Sequence, residues 1–142
     1  MATVRTAEAH WEGSLTEGQG EVELVSSGVG SFEVNWPSRA EAANGKTSPE
    51  ELIGAAHSTC FSMDLSGRLT RGGHVPTSID TRADVTFQVG QGITGIKLTV
   101  KAVVPDISAD EFEAVAQEAK KGCPVSQALA GTTITLEASL AE

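Results

Sequence analysis

Two cysteines suggest the chemistry that this chain could perform. Cys60 lies in the apolar run LIGAAHSTCFSM at positions 52–63, and Cys123 opens the run CPVSQAL at positions 123–129. The thiols are 63 positions apart, one on a predicted helix and the other at a predicted helix start. In a reducing compartment a permanent disulfide is uncommon, so this pair indicates catalytic or redox chemistry more than a structural role.

Each cysteine also has a plainer interpretation, which stays open here. A lone Cys on a buried helix is often a small hydrophobe, and burial raises its pKa and leaves it inert. To react, Cys60 needs a cation; its helix offers none before Arg68, so Arg39 in the preceding loop is the best candidate. Cys123 is predicted to cap a short helix, where unpaired backbone N–H groups favour a thiolate, or it only caps and packs.

Glu50 and Glu51 open the predicted long helix. Glu51 is placed for N-terminal capping, which leaves Glu50 for another role. Glu50 and Cys60 are separated by ten residues, or about 15 Å along one helix, which is too far for a hydrogen bond. A catalytic Glu50 therefore predicts a homodimer, in which the same helix of a second subunit packs antiparallel and completes the site.

A metal site is a weaker interpretation of the same helix. His57 and Cys60 have the spacing of two ligands on one helical face. The other ligands would have to come from Cys123, His10 or His74, which are scattered along the chain. We therefore predict neither a bound metal nor any other cofactor.

Hydrophobic patterns predict the elements that must position these groups. Alternation predicts strands at 20–25, 30–36 and 133–140. A short, mixed strand is predicted at 4–11, and two more strands are predicted at 77–89 and 95–104, around the turn at 90–92. Ser48 and Pro49 predict a helix that runs to about Thr70. Its apolar and small residues lie on more than one face, which indicates a buried central helix. Residues 37–47 are predicted to be a polar connector.

Two further helices follow the second group of strands. Ser108 begins a capping box, and its helix is predicted to end at Gly122. A short helix is predicted over 124–129. Since strands lie at both ends and no regular strand–helix alternation is present, the fold class is α+β. The whole chain, 1–142, is predicted to be a single domain.

Composition limits the classes of partner. The net charge of −9 argues against nucleic acid, which requires a basic surface. No segment approaches the apolar length of a membrane span, and the N-terminus lacks the apolar stretch of a signal peptide. We therefore predict a cytoplasmic protein with no membrane partner. With four Phe, two Trp and no Tyr, the core has few large side chains, which favours an oligomer.

The segment 47–63, TSPEELIGAAHSTCFSM, together with CPVS at 123–126, closely resembles the OsmC/Ohr family. The resemblance is nearest to the branch of osmotically inducible proteins. The segments HWEG at 10–13 and PTSIDT at 76–81 also resemble that branch, so the likeness spans essentially the whole chain. It implies an OsmC-like fold: an intertwined α+β homodimer with antiparallel sheets, a long buried central helix and two sites near the interface.

The resemblance also implies a thiol-dependent peroxidase that reduces organic hydroperoxides, and hydrogen peroxide more weakly. By position, Cys60 resembles the peroxidatic cysteine, which forms a sulfenic acid, and Cys123 the resolving cysteine, which then forms a disulfide with it. Arg39 and Glu50 fall on the family's catalytic arginine and glutamate. Arg39 would lower the thiol pKa, and Glu50 would hold the guanidinium through a bidentate pair.

The disulfide must be reopened by an external dithiol. The resemblance implies a lipoyl-type reductant, including a lipoylated protein. Side-chain type suggests that Phe61, Met63 and Trp36 form an apolar wall that favours organic substrates. The alternative from another class is a non-enzymatic thiol redox sensor or stress-response binding module. It would use both cysteines but would not need the pair of Arg39 and Glu50.

Overall fold

The computed structural model describes residues 1–141 and divides them into two compact units, Met1–Leu52 and the part from Ile53 onward. The first unit contains β1 (Glu8–Glu12), β2 (Gln19–Glu23), β3 (Ser31–Val34) and α1 (Trp36–Ala40). Helix α2 (Pro49–Arg71) begins there and continues into the second unit. That unit adds β4 (Ser78–Gln88), β5 (Gly92–Val103), α3 (Ala109–Gly122), α4 (Pro124–Ala128) and β6 (Ile134–Leu140). The α+β class is confirmed, and the single domain stays a prediction.

The sheet of the first unit is an antiparallel meander in the order β1-β2-β3. Trp11 pairs with Gly20, and the indole occupies the space that a side chain at position 20 would need. Trp11, Leu15 and Phe32 remain 41%, 57% and 42% exposed. These exposed large hydrophobics leave the first unit with apolar surface that the chain itself does not cover.

The sheet of the second unit has the order β4-β5-β6, with β5 in the centre. β4 and β5 form an antiparallel hairpin whose turn uses Gly90 and Gly92 at positive φ, a conformation that glycine adopts without strain. β6 pairs with β5 in parallel. A parallel pair requires a crossover connection, and α3 and α4 supply it.

The core lies between this sheet and the helices of the second unit. β5 buries every second residue from position 96 to position 102, because successive side chains of a strand point to opposite faces of the sheet. α2 contributes a line of residues spaced by one helical turn, and α3 contributes one face. The buried members are Phe61, Leu65, Leu69, Ile96, Leu98, Val100, Ala102, Val104, Phe112, Ala116, Ala119 and Cys123.

Helix α2 has the predicted start and length. The Ser48 hydroxyl accepts from the Glu51 N–H at 3.1 Å, and the Thr47 hydroxyl donates to the Glu51 carboxylate at 2.6 Å. One face is buried in the chain. The opposite face is exposed, and it carries Ala55, Ala56, Thr59 and Met63. Burial on more than one face is therefore not shown for a single chain.

The prediction of a polar connector over residues 37–47 is wrong in its first part, because residues 36–40 form α1. Asn35 accepts from the Ser38 N–H at 2.8 Å, and the Ser38 hydroxyl accepts from the Asn35 N–H at 3.3 Å. This is a capping box with Pro37 in the first turn. Arg39 consequently lies on a helix and not in a loop.

Helix α3 begins as predicted, with the Glu111 N–H donating to the Ser108 hydroxyl at 3.1 Å. Gly122 is its last residue, and Cys123 is its C-cap. A side chain at position 122 would collide with the guanidinium of Arg68. Glycine at this position therefore leaves room for the Arg68 guanidinium beside the end of α3.

Within residues 1–141, none of the helices combines the length and the apolar character of a membrane span.

The central strand allows a direct test of the core. Leu98 is fully buried, so Leu98→Ala should lower the free energy of unfolding by about 2–5 kcal/mol through lost burial and the cavity left behind. Val89→Ala, at a residue that is 58% exposed, is the matched control and should have little effect. Urea unfolding followed by circular dichroism measures both. A Leu98 variant as stable as the Val89 variant would contradict this account of the core.

Candidate active site

The two cysteines are neighbours in the second unit. Cys60 lies on α2 and is partly buried, whereas Cys123 is fully buried between α3 and α4. The Cys60 thiol lies near enough to the Cys123 thiol and to the backbone of Val125 for both to shift its pKa. Both cysteines are free thiols. The structure therefore brings together two sulfurs that are 63 positions apart in sequence.

Cys123 has the capping position that was predicted, and it caps two helices. Its backbone N–H donates to the carbonyl of Ala119 at 3.0 Å, which ends α3. Its Sγ accepts from the Ser126 N–H at 3.5 Å, which begins α4. Pro124 follows in the first turn of α4, where its missing N–H costs no helical hydrogen bond. The backbone thus fixes this sulfur from both sides.

Burial raises the pKa of the Cys60 thiol above its ordinary value. The backbone of Val125 acts in the opposite direction and stabilises the thiolate. The Cys123 thiol and the charge of Asp64 both raise the pKa further. Asp64 lies one turn along α2 and pairs with the Arg68 Nε at 2.5 Å. Contacts within this unit thus favour the neutral thiol, and a reactive thiolate requires an added cation.

Arg39 and Glu50 form a close ion pair in the first unit. The Arg39 Nε donates to both carboxylate oxygens, at 2.9 and 3.3 Å, and Nη2 lies 2.8 Å from Oε1. The Glu50 side chain is 8% exposed and that of Arg39 is 31% exposed. A carboxylate buried to this degree requires a charged or hydrogen-bonded partner. The structure pairs the two residues as expected, and their part in catalysis stays a prediction.

An apolar cavity of about 470 Å³ opens beside this pair in the first unit. Trp36, Leu15 and Arg39 are among the residues that line it. Trp36 therefore lies on an apolar wall, as the sequence suggested. Phe61 does not, because it is fully buried in the core of the second unit, and the prediction for that residue is wrong. Met63 is 69% exposed on α2.

Sequence reasoning missed a buried polar contact between the two cysteine-bearing helices. His57 is fully buried on α2, and its Nε2 lies 2.7 Å from the hydroxyl of Ser126, which is 4% exposed on α4. Burial lowers the pKa of His57, so the ring is neutral near pH 7. A signal was available: His57 precedes Cys60 by three positions, and Ser126 follows Cys123 by three.

The metal hypothesis gains no support from side-chain placement. Within residues 1–141, His, Cys, Asp and Glu side chains nowhere form a group of three that could hold a metal ion. His57 has its Nε2 directed at a hydroxyl oxygen, as described above.

A family profile, a related sequence and two solved structures match this chain. The profile of the family described as OsmC-like protein matches residues 42–137. Peroxiredoxin OsmC of Escherichia coli is 45% identical, over 99% of both chains. The structure of the organic hydroperoxide resistance protein OhrB of Bacillus subtilis has a TM-score of 0.70 at 23% identity, over 94% of this chain and 98% of that one. The structure of an organic hydroperoxide resistance protein OsmC from Legionella pneumophila has a TM-score of 0.69 at 20% identity, over 100% of this chain and 99% of that one.

The two structural likenesses concern the fold alone, whereas the family match and the identity to the Escherichia coli protein extend over most of the sequence. The resemblance seen in segments 47–63 and 123–126 is thereby confirmed. The family profile covers Glu50 and both cysteines. Arg39 precedes the profile, and the match to the Escherichia coli protein extends over 99% of the chain. The chain belongs to the OsmC family.

Proposed function

We propose that this protein reduces organic hydroperoxides through a sulfenic acid on Cys60 and a disulfide between Cys60 and Cys123. The observation that carries the proposal is the contact between the two thiols in a chain of this family. The chain is a thiol-dependent peroxidase by its 45% identity to Peroxiredoxin OsmC over 99% of its length. The peroxide class, the order of the thiol steps and the reductant belong to the proposal.

In the first step the Cys60 thiolate attacks the terminal oxygen of the hydroperoxide. The O–O bond breaks, the terminal oxygen and a proton remain on sulfur as sulfenic acid, and the departing alkoxide takes a proton to become an alcohol. In the second step the Cys123 sulfur attacks the Cys60 sulfur. The S–O bond breaks, and the hydroxide combines with the proton of the Cys123 thiol to form water.

An external dithiol then reopens the disulfide by thiol–disulfide exchange. We propose a lipoyl-type dithiol, free or on a lipoylated protein, because the exchange needs two linked thiols that leave as a cyclic disulfide. Since the cycle passes through a disulfide that has to be reduced at each turnover, the reducing cytoplasm is the compartment proposed for it. No bound cofactor enters the cycle.

The cation for Cys60 is proposed to be Arg39 of a second subunit in a homodimer. Glu50 and Cys60 are ten positions apart on α2, about 15 Å along the axis, so the arginine that Glu50 holds is not supplied along the same helix. Glu50 binds the guanidinium through both carboxylate oxygens, which fixes its direction. A charge held this way would favour the thiolate and stabilise the breaking O–O bond.

Two exposed apolar surfaces support the homodimer. One face of α2 presents small or apolar side chains, among them Ala55, Ala56 and Met63. The sheet of the first unit leaves Trp11 and Phe32 about half exposed. Covering such surfaces with a second copy removes them from water and accounts for the long buried helix that the sequence predicts.

The preference for organic peroxides is proposed to come from the apolar cavity beside Arg39. Its walls include Trp36 and Leu15, and its volume of about 470 Å³ accommodates an alkyl chain. Hydrogen peroxide has no apolar part to bury there, so it would gain nothing from these walls.

The cysteine roles lead to distinct kinetic phenotypes. With an organic hydroperoxide and dihydrolipoamide, Cys60→Ser should abolish turnover, because it removes the nucleophile. Cys123→Ser should allow one turnover and then stall, because the sulfenic acid has no intramolecular partner. Steady-state and single-turnover assays measure both. Sustained turnover by the Cys123 variant would eliminate its resolving role, and oxidation of Cys60 without any turnover of the natural chain would favour a redox sensor.

The arginine role can be tested through the pH dependence of alkylation. In a Cys123→Ser background, Arg39→Ala should raise the pKa of Cys60 by about one unit or more, because a cation that favours the thiolate is lost. The alkylation midpoint therefore moves to higher pH, and the rate at pH 7 falls. Arg82→Ala, which removes an exposed arginine paired with Asp84, is the matched control. An unchanged midpoint in the Arg39 variant would rule out this role.

Subunit mixing tests whether the site is composite. In a heterodimer of a Cys60→Ser chain and an Arg39→Ala chain, one site combines the intact Cys60 of the second chain with the intact Arg39 of the first, provided that Arg39 acts across the dimer. Activity should therefore return to about half of the wild-type level. Cys60→Ser mixed with Cys123→Ser should stay inactive, because both cysteines belong to one chain's site. Failure of the first mixture to recover, with heterodimers verified by mass spectrometry, would place Arg39 and Cys60 of one chain at the same site.

A further inference from the structure

His57 and Ser126 form a buried polar link between the helices that carry the two cysteines. The Nε2–Oγ distance is 2.7 Å, and the two residues are 0% and 4% exposed. Taking an imidazole and a hydroxyl out of water is unfavourable unless each finds a partner. Two apolar side chains at these positions would avoid the unfavourable free energy of burying polar groups. The presence of His57 and Ser126 therefore indicates a role beyond filling space.

Ser126 also acts on Cys123. Its backbone N–H donates to the Cys123 Sγ at 3.5 Å, while its side chain contacts His57. The backbone of Val125, the preceding residue, lies near enough to the Cys60 thiol to lower its pKa. The first turn of α4 therefore contacts both sulfurs, and the His57 ring holds that turn against α2.

The length of α4 makes such a link important. The helix has five residues, from Pro124 to Ala128, and helices this short are not stable without tertiary contacts. A disulfide requires about 2 Å between sulfurs and a narrow range of Cβ–Cβ separations. Small movements of α4 would therefore move Cys123 out of the position from which it can attack Cys60.

We propose that His57 is a positioning residue for disulfide formation, acting through Ser126 to hold Cys123 beside Cys60. The proposal rests on the proposed function, since it concerns the second thiol step of that cycle. In this step the Cys123 sulfur displaces hydroxide from the Cys60 sulfenic acid, and the thiol proton leaves with the hydroxide as water. Cys60 sulfur is reduced and Cys123 sulfur is oxidised. His57 is a positioning residue because its hydrogen bond goes to Ser126 and not to either sulfur.

The ring is suited to this role because it stays neutral. Burial lowers the pKa of His57, so near pH 7 one ring nitrogen carries hydrogen and the other accepts. The hydroxyl of Ser126 can donate or accept, so the pair can form with either tautomer. Nδ1 is buried without a hydrogen-bond partner among residues 1–141. The contact with Ser126 is therefore the polar interaction that compensates for burying the ring.

Variants on both sides of the link separate the two thiol steps. His57→Leu and Ser126→Ala remove the contact, whereas His57→Gln keeps an amide group near the position of Nε2. Ser62→Ala is the matched control, because it removes another hydroxyl contact of α2, with Thr81 at 2.7 Å, that does not involve α4. Each protein is treated with one equivalent of an organic hydroperoxide, quenched at intervals with dimedone, and analysed by intact mass spectrometry.

Loss of the Cys60 thiol should proceed at the natural rate in His57→Leu and Ser126→Ala, while disulfide formation slows about tenfold or more and the dimedone adduct accumulates. His57→Gln should recover part of the rate, and Ser62→Ala should match the natural chain. The double variant should be no slower than either single one, since both remove the same contact. A loss of stability alone would slow both the oxidation of Cys60 and the formation of the disulfide, and not only the second step.

Two results would overturn the proposal: disulfide formation at the natural rate in both variants, or an equal slowing of both steps. If His57→Leu does not fold, as judged by circular dichroism, the milder Ser126→Ala decides between the outcomes. The Cys123→Ser protein separates this inference from the proposed function. If it fails to accumulate the sulfenic acid, the thiol cycle itself is wrong. If it accumulates the sulfenic acid while the His57 and Ser126 variants form the disulfide at the wild-type rate, only the positioning role is wrong.

Discussion

The parallel pairing of β5 with β6 is the constraint from which the thiol site follows. Parallel neighbours cannot be joined by a tight turn, so the chain must cross from one end of the pair to the other. The crossover here is interrupted, and the break between α3 and α4 falls at Cys123. Since the crossing helices pack on the same core as α2, the interruption presents a buried sulfur to Cys60.

The two units contribute different kinds of electrostatic control. In the second unit, burial and the charge of Asp64 hold Cys60 in its neutral form. In the first unit, a largely buried Glu50 fixes the direction of the Arg39 charge. If Arg39 of a second subunit activates Cys60, as proposed above, the thiol stays protonated in the single chain, which protects it from unspecific oxidation. Dimerisation would then be a condition of chemistry as well as of stability.

Local signals in the sequence predicted most elements well. Ser48 and Ser108 marked the starts of α2 and α3 because their side chains cap the first free N–H groups. α1 was missed because the predicted strand 30–36 ran through its cap, Asn35, and its first residue, Trp36. The alternation that ends at Trp36 extended the strand, whereas β3 ends at Val34. The Cys60–Cys123 and His57–Ser126 contacts depend on how distant segments pack, which local spacing does not encode. The family resemblance suggested the first contact but not the second.

Gly122 has a consequence for protein engineering. Replacing a helical glycine by alanine ordinarily gains about 1 kcal/mol of helix propensity and is a common route to thermostable variants. At this position a methyl group would overlap the Arg68 guanidinium, which pairs with Asp64. The guanidinium is the end of a flexible side chain, so it would have to shift, and the ion pair with Asp64, whose charge raises the pKa of Cys60, would be disturbed with it. A change chosen for heat tolerance at this position would therefore also reach the electrostatic surroundings of the nucleophile.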